Sequence, residues 1–360
     1  MSALAVADVD EVREAVREGG PLLPVAGGTH PATLPAADGG VRALDVSGLT
    51  GVVDYDPAEL TFTARSGTTL AEIDAMLAAQ GQRLPFAPPR LGEGATIGGA
   101  VAAGITGPTG FAAGVRDFVV GVRFVDGTGR LAMGGGRVVK NAAGFDLPKL
   151  MVGSLGRLGV IVELSLKVFP RPDATASVRF RTGGLPAGLA AVAALARGPI
   201  PPTALDLAPD GAVTSRIGGS AELIDARTAR LAGALEPAGE PLEDEAAHCE
   251  EALRFGWVEG GARLVVVPVA PRQVVALDAD LDRHGAERRY GLGANVAWVA
   301  WPEAAPLDAL AAILVGHRLG GLVVGGQPLA QPLLGFPTGG AFAARVARGL
   351  DPDGVFGGPR

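Results

Sequence analysis

Two short glycine loops are the first places in this sequence where residue type and spacing could do chemistry. Ala26, Gly27, Gly28, Thr29 and His30 read AGGTH directly after the apolar run PLLPVA, and Thr96, Ile97, Gly98 and Gly99 lie within ATIGGA further on. Backbone amides neutralise a phosphate only where no side chain blocks the approach, and glycine leaves that approach open and tolerates positive φ. The pyrophosphate of a dinucleotide carries two negative charges, so two such loops could close on it from opposite sides, with the Thr96 hydroxyl adding a bond. A Rossmann site would need G-x-G-x-x-G between a strand and a helix, with an acidic residue roughly twenty positions on. AGGTH lacks that spacing. VGSLGRLGV has Gly153, Gly156 and Gly159 but leads into a strand-like run. With 55 glycines in 360 residues, ordinary tight turns are the competing reading for each loop taken alone.

A third group lies in RVVKNAAGFDLPK. Lys140 and Asn141 end a strand-like run, and Gly144, Phe145 and Asp146 begin a turn, so a cation, an amide and a carboxylate gather near one bend. Beside a flavin, Lys140 could stabilise negative charge on the reduced ring. A surface lysine and a helix-capping Asp146 are the alternative.

The elements that must position these loops are legible in the pattern. Asp8 with Glu11 three residues later starts a helix carrying Val9, Val12 and Val16, which Gly19 and Gly20 stop. PLLPVA, VRALDVS, GVVDYD and LTFTARS read as strands. Thr69 and Glu72 suit a capping box for a helix presenting Leu70, Ile73 and Leu77. A hairpin turning at residues 126–129 follows, then the strand GVIVELSLKVFPRP, whose prolines mark a domain boundary. Beyond it, alanine-rich helices alternate with apolar runs such as RLVVVPVA and NVAWVAW, without a visible internal repeat, and LDPDGVFGGPR reads as an irregular tail.

Composition narrows the function classes. A net charge of -7 and scattered arginines offer no footprint for nucleic acid. The first residues carry Asp8, Asp10 and Glu11 where a signal peptide would be apolar, which predicts a cytoplasmic protein. The lone Cys249 supplies neither a disulfide nor an iron-sulfur cluster, so any such cluster belongs to another chain. Residues 94–115 and 319–344 are uncharged, but their glycines and prolines argue against a spanning helix.

Taken in order, AGGTH, LPFAPPRLGEGATIGGAVAAGITGP, GVRDFVVGVRF and VVKNAAGFDLPKLMVGSLGRLGVIVELSLKVFPRP resemble the vanillyl-alcohol oxidase, or PCMH, type of FAD-binding domain. Within it they are most similar to the FAD-binding subunit of bacterial glycolate oxidase. The resemblance implies an α+β protein: a two-lobed FAD domain over residues 1–172, a ferredoxin-like cap over 173–325, and a segment, 326–360, returning to the FAD domain. It implies Ala26 to His30 at the pyrophosphate and Thr96, Ile97, Gly98 and Gly99 against it from the second lobe, with Ala103 and Gly104 close by. Lys140, Asn141, Gly144, Phe145 and Asp146 would follow the ribityl chain and isoalloxazine; Gly153, Gly156, Gly159, Val160 and Ile161 would approach the adenosine.

Departures from the family pattern refine these expectations. Relatives that attach flavin covalently do so through a histidine directly after the glycine pair, where this chain has Thr29, so the FAD is expected to be non-covalent. Phe145 replaces a tyrosine and has no hydroxyl to transfer a proton. The histidine-rich H-x-G-D-G-N-x-H motif of catalytic relatives is absent, and His248, His284 and His317 read as isolated surface residues, which leaves the catalytic residues unassigned. The resemblance therefore implies an FAD-carrying subunit of a glycolate oxidase or dehydrogenase complex. Its partners would be a catalytic flavoprotein and an iron-sulfur subunit, with any membrane association through them. An FAD subunit of a molybdenum hydroxylase and a flavin-free scaffold are the alternatives.

Overall fold

The computed structural model describes residues 3–34, 40–89, 93–110, 114–136, 146–336 and 340–356. Its first lobe contains β1 (Leu4–Ala5), α1 (Val9–Glu18), β2 (Leu22–Val25) and β3 (Arg42–Asp45), the strands lying parallel in the order β1-β3-β2. Asp8 caps α1 by accepting the Glu11 amide at 2.9 Å, and Gly19 at φ 76 ends it. Val12 and Val16 thereby face Leu22 and Leu44 in a small core.

The second lobe comprises β4 (Val52–Asp56), β5 (Thr61–Arg65), α2 (Leu70–Ala78), β6 (Gln82–Arg83), α3 (Ile97–Ala103), β7 (Val119–Val125), β8 (Leu131–Gly135), α4 (Leu147–Met151), β9 (Val160–Lys167) and β10 (Phe169–Pro170). Five of its strands form an antiparallel sheet, β4-β5-β9-β7-β8. The Thr69–Glu72 capping box starts α2 and turns Leu70, Ile73 and Leu77 onto that sheet. At the β7–β8 turn, Asp126 Oδ1 accepts the amides of Thr128 and Arg130. Strand β9 ties the lobes together, since Val160 and Val162 enter the first core while Ile161, Leu164 and Leu166 enter the second.

A nine-stranded sheet follows. Its first half is β11 (Ala174–Phe180), α5 (Leu185–Ala196), β12 (Ala204–Leu207), β13 (Val213–Gly219), α6 (Ile224–Ala232) and β14 (Glu240–Pro241). After α7 (Glu245–Arg254) the pattern recurs as β15 (Arg263–Pro268), α8 (Pro271–Asp282), β16 (Glu287–Gly291), β17 (Val296–Trp301), α9 (Leu307–Gly316) and β18 (Gly320–Val323), with β19 (Leu333–Gly335) added at the edge. Each half is a βαββαβ unit, and the sheet order β14-β11-β13-β12-β16-β17-β15-β18-β19 joins them through their second strands. β12 and β16 pair antiparallel at Leu207 and Tyr290, so the halves are related as by a local two-fold.

The expected ferredoxin-like cap is a tandem duplication of that unit, a repeat not visible in the sequence. Its repeat escapes the sequence because it lies in element order and apolar period, which different side chains satisfy equally well. The cap sheet also runs past residue 325, because β19 pairs with β18. One face of the sheet carries α5, α6, α8 and α9 over the largest core, which includes Leu205, Leu207, Val265, Val267, Tyr290 and Val299. On α8, Asp278 accepts from Arg288 at 2.7 and 2.8 Å and from the Tyr290 hydroxyl at 2.6 Å, pinning helix to sheet.

The chain closes through α10 (Gly340–Leu350) and a terminal segment that returns to the first lobe. Phe356 bridges to Leu22, and the buried Asp351 accepts the amides of Val355 and Phe356 at 2.8 and 2.9 Å. Asp351→Ala leaves both amides without their charged acceptor and should cost roughly 1.5–3 kcal/mol in urea unfolding. A loss below about 0.5 kcal/mol, the range of an ordinary surface change, would show that the carboxylate does not hold the closure.

Candidate cofactor site

Between the lobes lies an open cleft of about 810 Å³. Strand β2 delivers Ala26, Gly27, Gly28, Thr29 and His30 into it, and α3 presents Thr96, Gly98, Gly99 and Ala103 from the other side. Gly156, Gly159 and Ile161 close the floor with Leu155 and Ser66. The two glycine loops, far apart in sequence, are in backbone contact here: a Cβ on Gly27 would stand 1.8 Å from the Gly94 carbonyl oxygen.

The hydrogen bonding sorts these groups. Among the described residues, the amides of Gly27, Gly28, Thr29 and His30 have no acceptor, and Gly28 is left-handed at φ 64. Successive unpaired amides around such a glycine form a concave donor surface for an anion. On α3 the amides are already used: Ile97 donates to Thr68 at 3.0 Å, Gly98 to Ser66 at 2.8 Å, and Gly99 to Thr96 Oγ1 at 3.2 Å. The first loop therefore supplies the donors and the second supplies a bare wall.

The glycines divide in the same way. A Cβ on Gly98 would meet Ser66 at 2.6 Å, on Gly104 the Gly153 amide at 2.8 Å, on Gly156 the Pro24 ring at 2.9 Å, and on Gly159 Phe124 and Val125 at 2.8 Å. Those four are glycine because the protein packs against them. A Cβ on Gly28 meets only Leu34 at 3.9 Å, and one on Gly99 only Thr96 Oγ1 at 3.3 Å. At these two positions the space that glycine keeps clear lies in the cleft.

Other expected site residues lie elsewhere. Ile97 is wholly buried in the second-lobe core and Val160 in the first, so their side chains pack. Gly104 ends α3 in the left-handed conformation, and Gly153, also left-handed, packs beside it outside the cleft lining. Asp146 caps α4 by accepting the Lys149 amide and pairs with the Lys149 ammonium at 3.1 Å, which is the helix-capping alternative. Burial raises its carboxyl, but the bonds and charge of Lys149, with Arg116 adding to them, together hold it below the usual range. Lys140, Asn141, Gly144 and Phe145 lie outside the described residues.

The cleft also contains polar atoms without protein partners. His30 Nε2 and Ser66 Oγ are buried and unbonded among the described residues, and burial lowers the His30 imidazole to about 4. His30 is thus neutral near pH 7 and able to offer a donor or an acceptor. Free amides, two glycines open toward the cleft and two orphaned side-chain atoms fit a dinucleotide phosphate.

Comparison with known proteins gives this geometry a class. Residues 3–133 match the family model described as FAD binding domain. Alkyldihydroxyacetonephosphate synthase shares the fold over 98% of this chain and 76% of its own, with a TM-score of 0.67 at 15% identity. Residues 3–133 thus form an FAD-binding domain, and FAD is its cofactor.

Among individual relatives, the chain is 47% identical to glycolate oxidase subunit GlcE of Escherichia coli (strain K12) over 172 residues, 48% of this chain and 49% of that protein. Glycolate oxidase subunit GlcD of Bacillus subtilis (strain 168) is 32% identical over 42% of this chain and 33% of its own. D-lactate dehydrogenase of Anaerostipes hadrus is 34% identical over 39% and 29%. The chain spans about half the length of the GlcE protein and about a third of the other two.

The cap histidines correct the surface reading in part. His284 is exposed, but His317 Nε2 bonds Asp280 at 2.6 Å, and His248 on α7 is half-buried and lines a second cavity. That cavity's Asp206 and Arg289 were not singled out in the sequence. Their only signal there is polar residues alternating with apolar ones on short strands, which an exposed sheet face also produces.

Two outcomes follow from the cleft. Gly99→Val should keep the folded melting behaviour yet lose most bound FAD, measured as flavin absorbance per chain, whereas Gly98→Val should destabilise the fold itself by clashing with Ser66. Equal flavin content in Gly99→Val and the parent would remove the open-wall assignment. For His30, the folded value near 4 lies below the ordinary 6.5, so between them the unfolded chain takes up a proton that the folded chain refuses. Stability should therefore fall as pH drops from about 6.5 to 4, and His30→Gln should remove that part of the slope in urea titrations compared pairwise.

Proposed function

We propose that this chain carries non-covalent FAD as one subunit of a complex that oxidises 2-hydroxy acids, with glycolate or D-lactate as substrate. Similarity to the glycolate oxidase subunit GlcE over 172 residues carries this reading. Relatives named for glycolate oxidase and D-lactate dehydrogenase support the substrate class. The unpaired amides of residues 27–30 would hold the pyrophosphate, the Gly99 wall would admit it, and His30 and Ser66 would supply further hydrogen bonds. Bound there, the flavin would supply an acceptor for the two electrons removed from a CH–OH group.

The partners in this reading are a catalytic flavoprotein subunit and an iron-sulfur subunit. Cys249 is the chain's single cysteine, and burial and the nearby Glu245 push its thiol up to about 12 despite Arg216, so it remains a protonated packing group. Among the described residues no helix is long and apolar enough to cross a membrane. We place the complex in the cytoplasm or at the inner face of the membrane, held there by the partners.

Purification of the chain alone should give about one FAD per chain, released into the supernatant by acid precipitation, and negligible steady-state glycolate oxidation. Activity should appear when the two partner subunits are added. Flavin retained in the acid pellet would overturn the non-covalent assignment, and vigorous turnover by the isolated chain would overturn the division of labour.

A further inference from the structure

The face of the cap sheet that carries no repeat helices is not a solvent face. Alternation along the strands puts Leu205, Leu207, Val213, Ile217 and Tyr290 into the helix-side core, and turns Ser177, Asp206, Thr214, Arg216 and Arg289 the other way. Helix α7, the insertion between the two βαββαβ units, contributes His248, Cys249 and Glu251 to the enclosure, and Phe255 and Trp257 follow it. Pro108 and Thr109 complete it from the FAD domain. The cavity so formed is small, on the scale of a small organic acid.

Its polar groups are incompletely paired. Asp206 on β12 and Arg289 on β16 face each other across the junction of the two repeats, with Arg289 Nη1 donating to Asp206 Oδ2 at 3.3 Å. Among the described residues Asp206 Oδ1 has no partner, nor have Ser177 Oγ and the indole Nε1 of Trp298, two residues that are 2% and 0% exposed. A pair serving only to join the repeats would satisfy both carboxylate oxygens, because a buried acceptor left unmade costs about 1–3 kcal/mol. Arg289 also lies over the Trp257 ring, 6.0 Å from its centroid, which fixes the guanidinium without using its N–H groups. By contrast Arg216 is engaged, bonded to both Glu245 and Thr175.

A guanidinium beside a carboxylate oxygen with a free lone pair matches two adjacent groups, a carboxylate and a hydroxyl. We propose that this cap cavity binds a small 2-hydroxycarboxylate, with Arg289 anchoring the carboxylate and Asp206 Oδ1 accepting the hydroxyl hydrogen. The naming of the 2-hydroxy acid class rests on the function proposed above; the unpaired groups that require a polar ligand do not. Burial raises the Asp206 carboxyl above its ordinary range, although Arg289 and Arg179 pull it down. The cavity adjoins the cofactor cleft through one loop: Ala103 lines the cleft, Ile105 packs with Trp298 and Phe255, and Pro108 lines the cavity. This site needs no histidine motif, and it contains His248, whose imidazole is kept neutral by burial and by Arg179 and Arg289 against the opposing pull of Glu251 and Glu245.

Two of the chain's three tryptophans, Trp257 and Trp298, line the cavity, so tryptophan fluorescence reports its occupancy. The FAD-loaded chain is titrated with glycolate and, separately, with acetate, which lacks the hydroxyl. Glycolate should saturate the signal at least about tenfold more tightly than acetate, a ratio that one hydrogen bond to a charged group supplies. Arg289→Met should weaken both acids by about tenfold or more, and Asp206→Ala should erase the preference for glycolate, each with FAD content and melting midpoint as controls. Equal binding of the two acids by the parent protein, which needs no variant to fold, overturns the inference, as does undiminished glycolate binding by folded Arg289→Met. A chain that holds FAD but ignores glycolate refutes the cavity assignment alone, and one that binds glycolate without holding FAD refutes the flavin-subunit reading instead.

Discussion

The close approach of Gly27 to the Gly94 carbonyl is the constraint on which the rest of the cleft depends. No side chain fits between those backbones, so the two lobes can meet only where the first strand turn and the approach to α3 both present bare main chain. That contact fixes the turn after β2 in a conformation that leaves the amides of residues 27–30 unpaired among the described residues. With Gly27 and Gly28 exposed, these amides can bond water or, together, an anion.

Around this contact the lobes play unequal parts. The amides at the start of α3 are bonded to Ser66, Thr68 and Thr96, so the helix end is structurally complete and offers the ligand shape instead of charge. Strand β9 holds the arrangement by placing successive side chains in two cores, and the C-terminal segment bridges Phe356 to Leu22 along the β2 edge of the first sheet. Displacement of either lobe would therefore disturb buried packing as well as the cleft.

The cap follows a different logic. Fusing two βαββαβ units through their second strands creates one broad sheet with all four repeat helices on one side, and the other side must be covered. Helix α7 and the FAD domain provide that cover, and between them they enclose polar groups from both repeats. The Asp206–Arg289 pair belongs to neither repeat by itself, so the site arises only where the units join.

What the sequence determined alone is chiefly local. The Asp8 and Thr69 caps, the Asp126 turn, the strands of the FAD domain and the ordered motifs of that domain were legible, because capping geometry, turn chemistry and apolar period depend on neighbours within a few residues. The sequence also marked Gly28 and Gly99 as candidates, yet could not distinguish them from Gly98, Gly104, Gly156 and Gly159, whose glycine identity is set by backbones distant in the chain. The placement of Ile97 and Val160 in cores, the doubled cap and the pairing of Asp206 with Arg289 were decided by tertiary structure alone. Each depends on which strand edges and faces meet, and a period-2 pattern looks the same whether its polar side faces water or another domain.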